Sequence, residues 1–368
     1  MATHKAYVQS AIKAPLTIEL VQTSSPSSGQ ILVTVLASPV LSYAADVLSG
    51  SFPLVHPLTP GASAIGRIAA TGEDTTALQV GQLVFCDATV RARDDHSGGT
   101  SILQGWFGGI SPGARRLMEG TWRNGSWAQK MLVPLENVTV LDEQVLVHKF
   151  GYHAPQLCWI NTLLVPYGGW RAAGLGVGDV VIVAPATGHF GGAAVRVALA
   201  LGARLVVVAG RNEKTLEALE VGHTVGKVKK VVLTGDVDVD ANALKMASGG
   251  KGADIYIDFS PAQAADATHP QACLSALKPG GQAILMGGIS KNISFNYAHL
   301  MLNSITIRGQ FMYDADAPMK VVGLLESGAL TLEGLESTAF DFEQLDVAIH
   351  HAQTHAGFSK STVLQVST

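Results

Sequence analysis

The chain has 368 residues, of which 47% are hydrophobic, 15% charged and 6% aromatic. That is enough apolar content to bury sizeable cores, and at roughly 150 residues per domain it reads as two domains rather than a disordered or fibrous polypeptide. With 25 basic against 29 acidic side chains the formal net charge is −4, so no global attraction to nucleic acid or to an anionic membrane is expected.

The long apolar run 193–208 is broken by Arg196 and Arg204, short of the roughly 18 uninterrupted apolar residues a spanning helix needs. The first ten residues hold no apolar signal-peptide core and the last three match no lipidation signal, so a cytoplasmic location is expected. Cys86, Cys158 and Cys273 are odd in number and far apart, which predicts reduced, buried thiols rather than a disulfide framework or a short-spaced zinc motif. The 40 glycines exceed the usual share of about 7% and point to tight turns and close backbone approaches.

In chain order, the first 150 residues read as β-rich: 31–36 is an apolar β-branched run and 66–70 another, with Gly72, Gly81 and Pro134 punctuating short segments as in a barrel-like domain. The stretch 87–123 resists assignment. It carries Arg91, Arg93, Asp94, Asp95 and His96, then Trp106, Phe107, Gly108 and Gly109, and a loop of that length is usually functional or an excursion at an interface. From about Gly168 the rhythm changes to a fully apolar strand at 180–184, a helix at 192–201, a strand at 205–209 and a charged helix at 213–219. Further strands are expected near 230–233, 253–258, 282–286 and 306–309, an alternation that means a parallel sheet wound on both faces. The tail from 335 returns to short segments, ends in a strand at 361–366, and is expected to rejoin the first domain. The expected domains are 1–150, completed by 335–368, and 151–334.

Residues 180–212 carry the strongest chemical signal: a buried strand, a turn, a helix and a second strand, the setting in which a glycine fingerprint acquires meaning. Gly188 would let backbone approach a pyrophosphate and Gly191 would let the helix sit close on the strand. Free N–H groups of Thr187, Gly188, His189, Phe190 and Gly191 would point at the anion. Ala186 stands where the first glycine of G-x-G-x-x-G would be. About 20 residues on, where an NAD site places an acid on the ribose, the chain has Gly210, Arg211 and Asn212. Arg211 is placed to meet a 2′-phosphate, with Asn212 and Lys214 able to add to it, so NADP(H) is the expected cofactor. The alternative is a solvated Arg211 and a site that accepts NAD without its usual acid.

Several further motifs fall in a familiar order. Pro26, Gly29 and the run Ile31-Leu32-Val33 are followed by Pro60-Gly61, Gly66-Arg67-Ile68, Gly72 and Gly81-Gln82-Leu83-Val84, then by Gly125-Ser126-Trp127-Ala128 with Val133-Pro134. With the fingerprint after them, these make the chain resemble the medium-chain dehydrogenase/reductase superfamily over nearly its whole length. The resemblance implies an α/β fold class: a GroES-like β domain plus a Rossmann domain with a doubly wound parallel sheet, and a substrate cleft between them. It implies a homodimer formed through strands near 304–311, a small-molecule substrate, and neither nucleic acid nor membrane as partner. By the same resemblance Ser260, Gly287, Gly288 and Ile289, at the ends of later strands, would line the ribose and nicotinamide.

Zinc members of that superfamily hold a catalytic metal at positions that correspond here to Leu41, Ala62 with Ser63, and Cys158. Two of the three positions carry no ligand, and the four-cysteine structural lobe is represented only by Cys86, so the chain resembles the zinc-independent quinone and enone reductases. Without a metal, hydrogen-bond donors must serve the oxygen on which charge develops. Tyr43, two residues past Leu41, is the first choice, unless its ring merely packs in the barrel core; Tyr167, Asn161 and Ser42 follow. His189 is read as a cofactor contact. His96 with Asp94 and Asp95 is read as a polar loop rather than an acid–base pair, and 227–230 and His350-His351 as solvated surface. Pocket walls are expected at 51–57, 106–110 and 297–302. The leading functional expectation is an NADPH-dependent reductase of an apolar carbonyl compound or an α,β-unsaturated one. The alternatives are a zinc-free alcohol dehydrogenase, and a dinucleotide-binding protein without redox chemistry that serves as a sensor, a structural protein or a cyclase scaffold.

Overall fold

In the computed structural model, which describes residues 2–223 and 225–366, the chain falls into two units. The first comprises the residues up to Asn161 with Thr331–Ala356 and the strand that starts at Lys360; the second comprises Thr162–Leu330 with Gly357–Ser359.

The apolar run at 31–36 becomes the centre of the long strand Gln30–Val40, buried on both faces as its near-continuous hydrophobicity requires. It anchors a sheet in the order Glu336–Asp341, Lys360–Gln365, Gln30–Val40, Ala64–Thr71, Leu83–Cys86, Val138–Val140, with Lys130–Pro134 also paired to it. The tail therefore completes the first sheet: Lys360–Gln365 pairs antiparallel with Gln30–Val40, Val363 opposite Pro39. Sequence reading places the domain boundary at 150, whereas the units part within the helix Trp159–Ala173. The cause is local, because the turn Ala154–Leu157 packs on Gln30–Val40 and Ala64–Thr71. The Tyr152 hydroxyl also accepts from the Leu332 N–H at 3.1 Å.

The unassigned stretch 87–123 is ordered. Thr89–Arg91 pairs with Ser101–Leu103, and Ser111 caps the helix Pro112–Glu119 by accepting from the Ala114 N–H at 3.1 Å. Val90, Ile102, Ala114 and Met118 form its own small core.

In the second unit six parallel strands stand in the order Val228–Val232, Leu205–Gly210, Val180–Ala184, Ala253–Asp258, Leu277–Leu285, Thr306–Gly309. Counted along the chain that order is 3-2-1-4-5-6, the doubly wound arrangement whose crevice opens at the carboxyl ends of the first and fourth strands. All five residues of Val180–Ala184 are buried, which is why no polar residue interrupts it. The helix Trp159–Ala173 holds Pro166 and the pair Gly168-Gly169, residues of low intrinsic helix propensity. They are needed for contact: a Cβ at Gly168 would strike the Met312 carbonyl and Tyr313, and one at Gly169 would strike Met286 and Ile257. Among the described residues no helix is long and apolar enough to cross a membrane.

Candidate functional site

At the end of Val180–Ala184 the chain turns through Pro185, Ala186, Thr187 and Gly188 into the helix His189–Ala200. The Ala186 N–H donates to the Ala209 carbonyl at 2.9 Å and holds the turn against the second strand. Gly191 is demanded by the protein itself, since a Cβ there would run into the Pro185 carbonyl and Ala186. Gly188 is different: it is exposed, and a Cβ there would meet nothing within 4 Å. No side chain caps this helix. Its first N–H groups and its positive dipole end therefore face an open space beside a residue that gives no steric hindrance, the features of an anion cradle. His189, inside the turn, pairs its Nε2 with the Thr162 hydroxyl at 2.7 Å. Phe190 stacks on Phe259, ring centroids 6.2 Å apart, and so links the first turn to the end of the fourth strand.

At that strand end Asp258 is buried and organises its neighbours. The Tyr256 hydroxyl donates to Oδ1 at 2.9 Å and the Ser260 hydroxyl at 2.6 Å, while the Ser260 N–H donates to Oδ2 at 3.2 Å. Because the Ser260 hydroxyl proton is committed to Asp258, its oxygen accepts from His269 Nε2–H at 2.8 Å. Burial, and then the Asp258 charge, push the Tyr256 hydroxyl well above its ordinary range, so it stays a donor. Ser260 is thus fully buried and engaged within the protein. Gly287 is required by the same cluster, since a Cβ would meet Asp258 Oδ2 at 2.5 Å, and the Gly288 N–H donates to the Ser260 carbonyl at 2.7 Å. Gly287 and Gly288 are exposed and Ile289 half-buried at the rim. His269 escaped sequence reading: a single histidine opening a short helix carries no motif.

Arg211 follows the second strand. It is exposed and makes no hydrogen bond or ion pair among the described residues. Asn212 is used locally, capping the helix Glu213–Val221 by accepting from the Thr215 N–H at 3.1 Å. A side chain at Gly210 would press on Thr187, 3.2 Å from its Cγ2. The missing acid and the close turn therefore go together.

In the first unit the would-be metal positions lie in its core. Leu41 and Ala62 are buried and apolar, and the Ser63 hydroxyl donates to Asn161 Oδ1 at 2.8 Å, which engages Asn161 as well. Burial pushes the Cys158 thiol far above its ordinary range, away from the thiolate a metal needs. Among the described residues no group of three or more His, Cys, Asp or Glu side chains converges to hold a metal ion. This donor set does not fit zinc.

Tyr43 packs against the same core, half-buried, in a series of edge-on rings. Its centroid lies 5.9 Å from Trp106 and 6.3 Å from Phe52; Trp106 lies 5.7 Å from Trp127, and Phe52 5.8 Å from Phe107. Burial pushes the Tyr43 hydroxyl up to about 12, with the Trp106 side chain counteracting it, so it is protonated at any physiological pH. Ser42 is exposed. Tyr167 belongs to the other unit, buried beneath the Arg171 guanidinium at 6.0 Å from its ring. Asp95 serves its own loop, accepting from the Ser97 and Thr100 N–H groups. The Ser97 hydroxyl, which donates to Oδ1 at 2.5 Å, contributes most to holding the Asp95 carboxyl down to about 2. Of the expected pocket walls, 51–57 and 106–110 meet through the Gly108 N–H, which donates to the Pro53 carbonyl at 2.7 Å. The third, the helix Tyr297–Leu302, lies in the second unit with Tyr297, Met301 and Leu302 exposed.

A β unit completed by its own tail, and a 3-2-1-4-5-6 sheet with an open glycine turn, define a two-domain protein built like the alcohol dehydrogenases. Residues 27–143 match the alcohol dehydrogenase GroES-like domain and residues 190–327 the family described as zinc-binding dehydrogenase. The chain belongs to the medium-chain dehydrogenase/reductase superfamily. Among curated proteins it is 28% identical over 279 residues to cinnamyl alcohol dehydrogenase 5 of Arabidopsis thaliana, covering 70% of this chain and 67% of that protein. It is 27% identical over 348 residues to an alcohol dehydrogenase of Moraxella sp. strain TAE123, covering 93% and 95%. Its fold matches an NAD-dependent alcohol dehydrogenase at a TM-score of 0.78 and 18% identity, covering 99% of this chain and all of that one.

Proposed function

We propose that this chain is a zinc-independent, NADPH-dependent oxidoreductase that reduces an apolar carbonyl compound, α,β-unsaturated ones included. The observation that carries the reading is the uncapped start of the helix His189–Ala200, with the exposed, unobstructed Gly188 at its N-cap directly after the first strand of the parallel sheet. Thr187 to Gly191 would hold the pyrophosphate on the uncapped helix end, Gly287 to Ile289 would border the ribose and nicotinamide, and Arg211 would meet the 2′-phosphate. The reading is supported by two proteins of the same fold, one from Sinorhizobium meliloti 1021 solved bound to NADP and one from E. coli CFT073 complexed with NADH. The likeness to cinnamyl alcohol dehydrogenases supports conjugated aryl carbonyls among the substrates.

When bound, the reduced nicotinamide supplies a hydride. That hydride would reduce a carbonyl carbon and leave an electron pair on its oxygen in need of a proton. Tyr43 donates the proton that makes this oxygen a hydroxyl and is reprotonated from water. Consumption of NADPH with a panel of enones, quinones and aldehydes tests the reading; no turnover with any of them would leave a dinucleotide-binding protein without redox chemistry.

Purified protein is expected to contain well under about 0.2 zinc per chain, and chelators should leave fold and activity unchanged, because Leu41, Ala62 and Ser63 replace the ligands. Elemental analysis giving about one zinc per chain would overturn the metal-free mechanism. A homodimer is proposed through the edge strand Thr306–Gly309, which pairs on one side only and is flanked by exposed Met301, Leu302 and Phe311. Sedimentation as a monomer at micromolar concentration would reject that assembly.

A further inference from the structure

A buried carboxylate is stable only where donors surround it, and each donor's own atoms need partners in turn. Asp258 receives the Tyr256 and Ser260 hydroxyls and the Ser260 N–H. With its proton given to Asp258, the fully buried Ser260 hydroxyl needs a donor to its oxygen, and His269 Nε2–H supplies it at 2.8 Å. The same nitrogen lies 3.4 Å from Asp258 Oδ1. His269 comes from a separate segment, the helix His269–Ser275. The residue before it is tied down, since the Thr268 hydroxyl donates to the Gly235 carbonyl at 2.9 Å. The other side of the Asp258–Ser260 turn carries the loop after the fifth strand. The Met286 N–H donates to the Asp258 carbonyl at 3.1 Å and the Gly288 N–H to the Ser260 carbonyl at 2.7 Å. A Cβ at Gly287 would come within 2.6 Å of that same Ser260 carbonyl. The place of the loop therefore follows the backbone of residues 258–260, which the Asp258, Ser260 and His269 side chains hold as one network.

We infer that His269 is a positioning residue for the nicotinamide half of the dinucleotide: its donation to Ser260 holds the turn from which residues 286–289 hang. The inference rests on the proposed dinucleotide site and deepens it by a residue that acts through Ser260 rather than on the ligand. Without the Nε2–H the Ser260 oxygen is left buried with no donor, and its hydroxyl is free to take up other rotamers. The loop then has more than one place to sit, and ligand binding has to order it at a cost in affinity. The loss should fall on the half of the dinucleotide that the loop borders. Arg211 stands after the second strand and shares no hydrogen bond with this cluster, so the adenosine half should be spared.

The test measures two dissociation constants by calorimetry on the full chain, one for NADPH and one for adenosine 2′,5′-bisphosphate, which lacks the nicotinamide half. His269→Phe keeps a ring and removes the donor, whereas His269→Gln carries an amide N–H at about the reach of Nε2. In His269→Phe the NADPH constant is expected to rise roughly tenfold while the bisphosphate constant changes by less than about twofold. His269→Gln is expected to recover most of the NADPH affinity. Should His269→Phe not accumulate folded, Ser260→Ala removes the other end of the same bond and is expected to show the same split between the two ligands. An unchanged NADPH constant overturns the inference. So does an equal loss for both ligands, because a residue that only supports the fold weakens both alike, and so does a Gln variant no better than the Phe variant. A wild-type chain that binds neither ligand overturns the dinucleotide site and the inference with it. One that binds both, with variants that do not separate them, overturns the inference alone. No turnover enters the measurement, so the reductase reading stands or falls separately.

Discussion

Tyr43→Phe is expected to lower turnover by roughly 10² to 10⁴ while leaving the NADPH dissociation constant unchanged. The substitution removes one hydroxyl and keeps the ring that packs edge-on to Trp106 and Phe52, so the first unit should stay folded. The hydroxyl is pushed up to about 12, and a phenol that far above neutrality is fully protonated across the working range. The pH profile of the wild-type enzyme should therefore show no limb from Tyr43 between pH 6 and about 10, and the variant should be slow at every pH in that interval. Stopped-flow reduction of an aldehyde by both proteins reads the difference. Equal rates would remove Tyr43 from the mechanism and leave it as a packed ring.

Arg211→Ala should abolish most of the preference for NADPH over NADH. A hydrogen bond to a charged partner is worth about 1.5 to 3 kcal/mol, and 1.4 kcal/mol is tenfold in affinity, so the wild-type ratio of dissociation constants should be at least about tenfold. Arg211 is exposed and has no competing partner among the described residues, so it need not break a bond to serve the phosphate. The same exposure makes the preference sensitive to salt, and it should shrink as ionic strength rises. NADH affinity should barely change in the variant. Equal dissociation constants for both cofactors in the wild type would show that Arg211 points into solvent with the cofactor bound.

How much of this could be read from the residues depended on whether a feature repeats with a period. Val180–Ala184 and Ala253–Asp258 are buried strands and appear in the sequence as unbroken apolar or nearly apolar runs, so the parallel sheet was legible. The strand Glu336–Asp341 was not, because it is largely exposed and shows no alternation. The helix through Pro166, Gly168 and Gly169 was obscured by residues that weaken an isolated helix and here allow two backbones to approach. At the candidate site spacing alone marked the turn glycines and Arg211 as candidates. What could not be foreseen was how polar groups are spent: Asn212 on a helix cap, Asn161 on Ser63, Ser260 on Asp258. Those allocations depend on which side chains meet across the fold, and no local pattern records them.

The strand Lys360–Gln365 sits between Gln30–Val40 and Glu336–Asp341, which gives the two units different histories during synthesis. Every strand of the second unit's sheet has left the ribosome by Gly309, so that sheet can form while translation continues. The first unit begins earlier and finishes later, since residues 37–40 of the strand Gln30–Val40 wait for a partner more than 300 residues downstream and until then present an unpaired edge, while residues 30–34 pair with Lys130–Pro134. A chain stalled or cleaved between Gly309 and Lys360 would carry a complete Rossmann sheet beside an open β sheet. Such a chain would expose an open strand edge, the feature on which other chains pair.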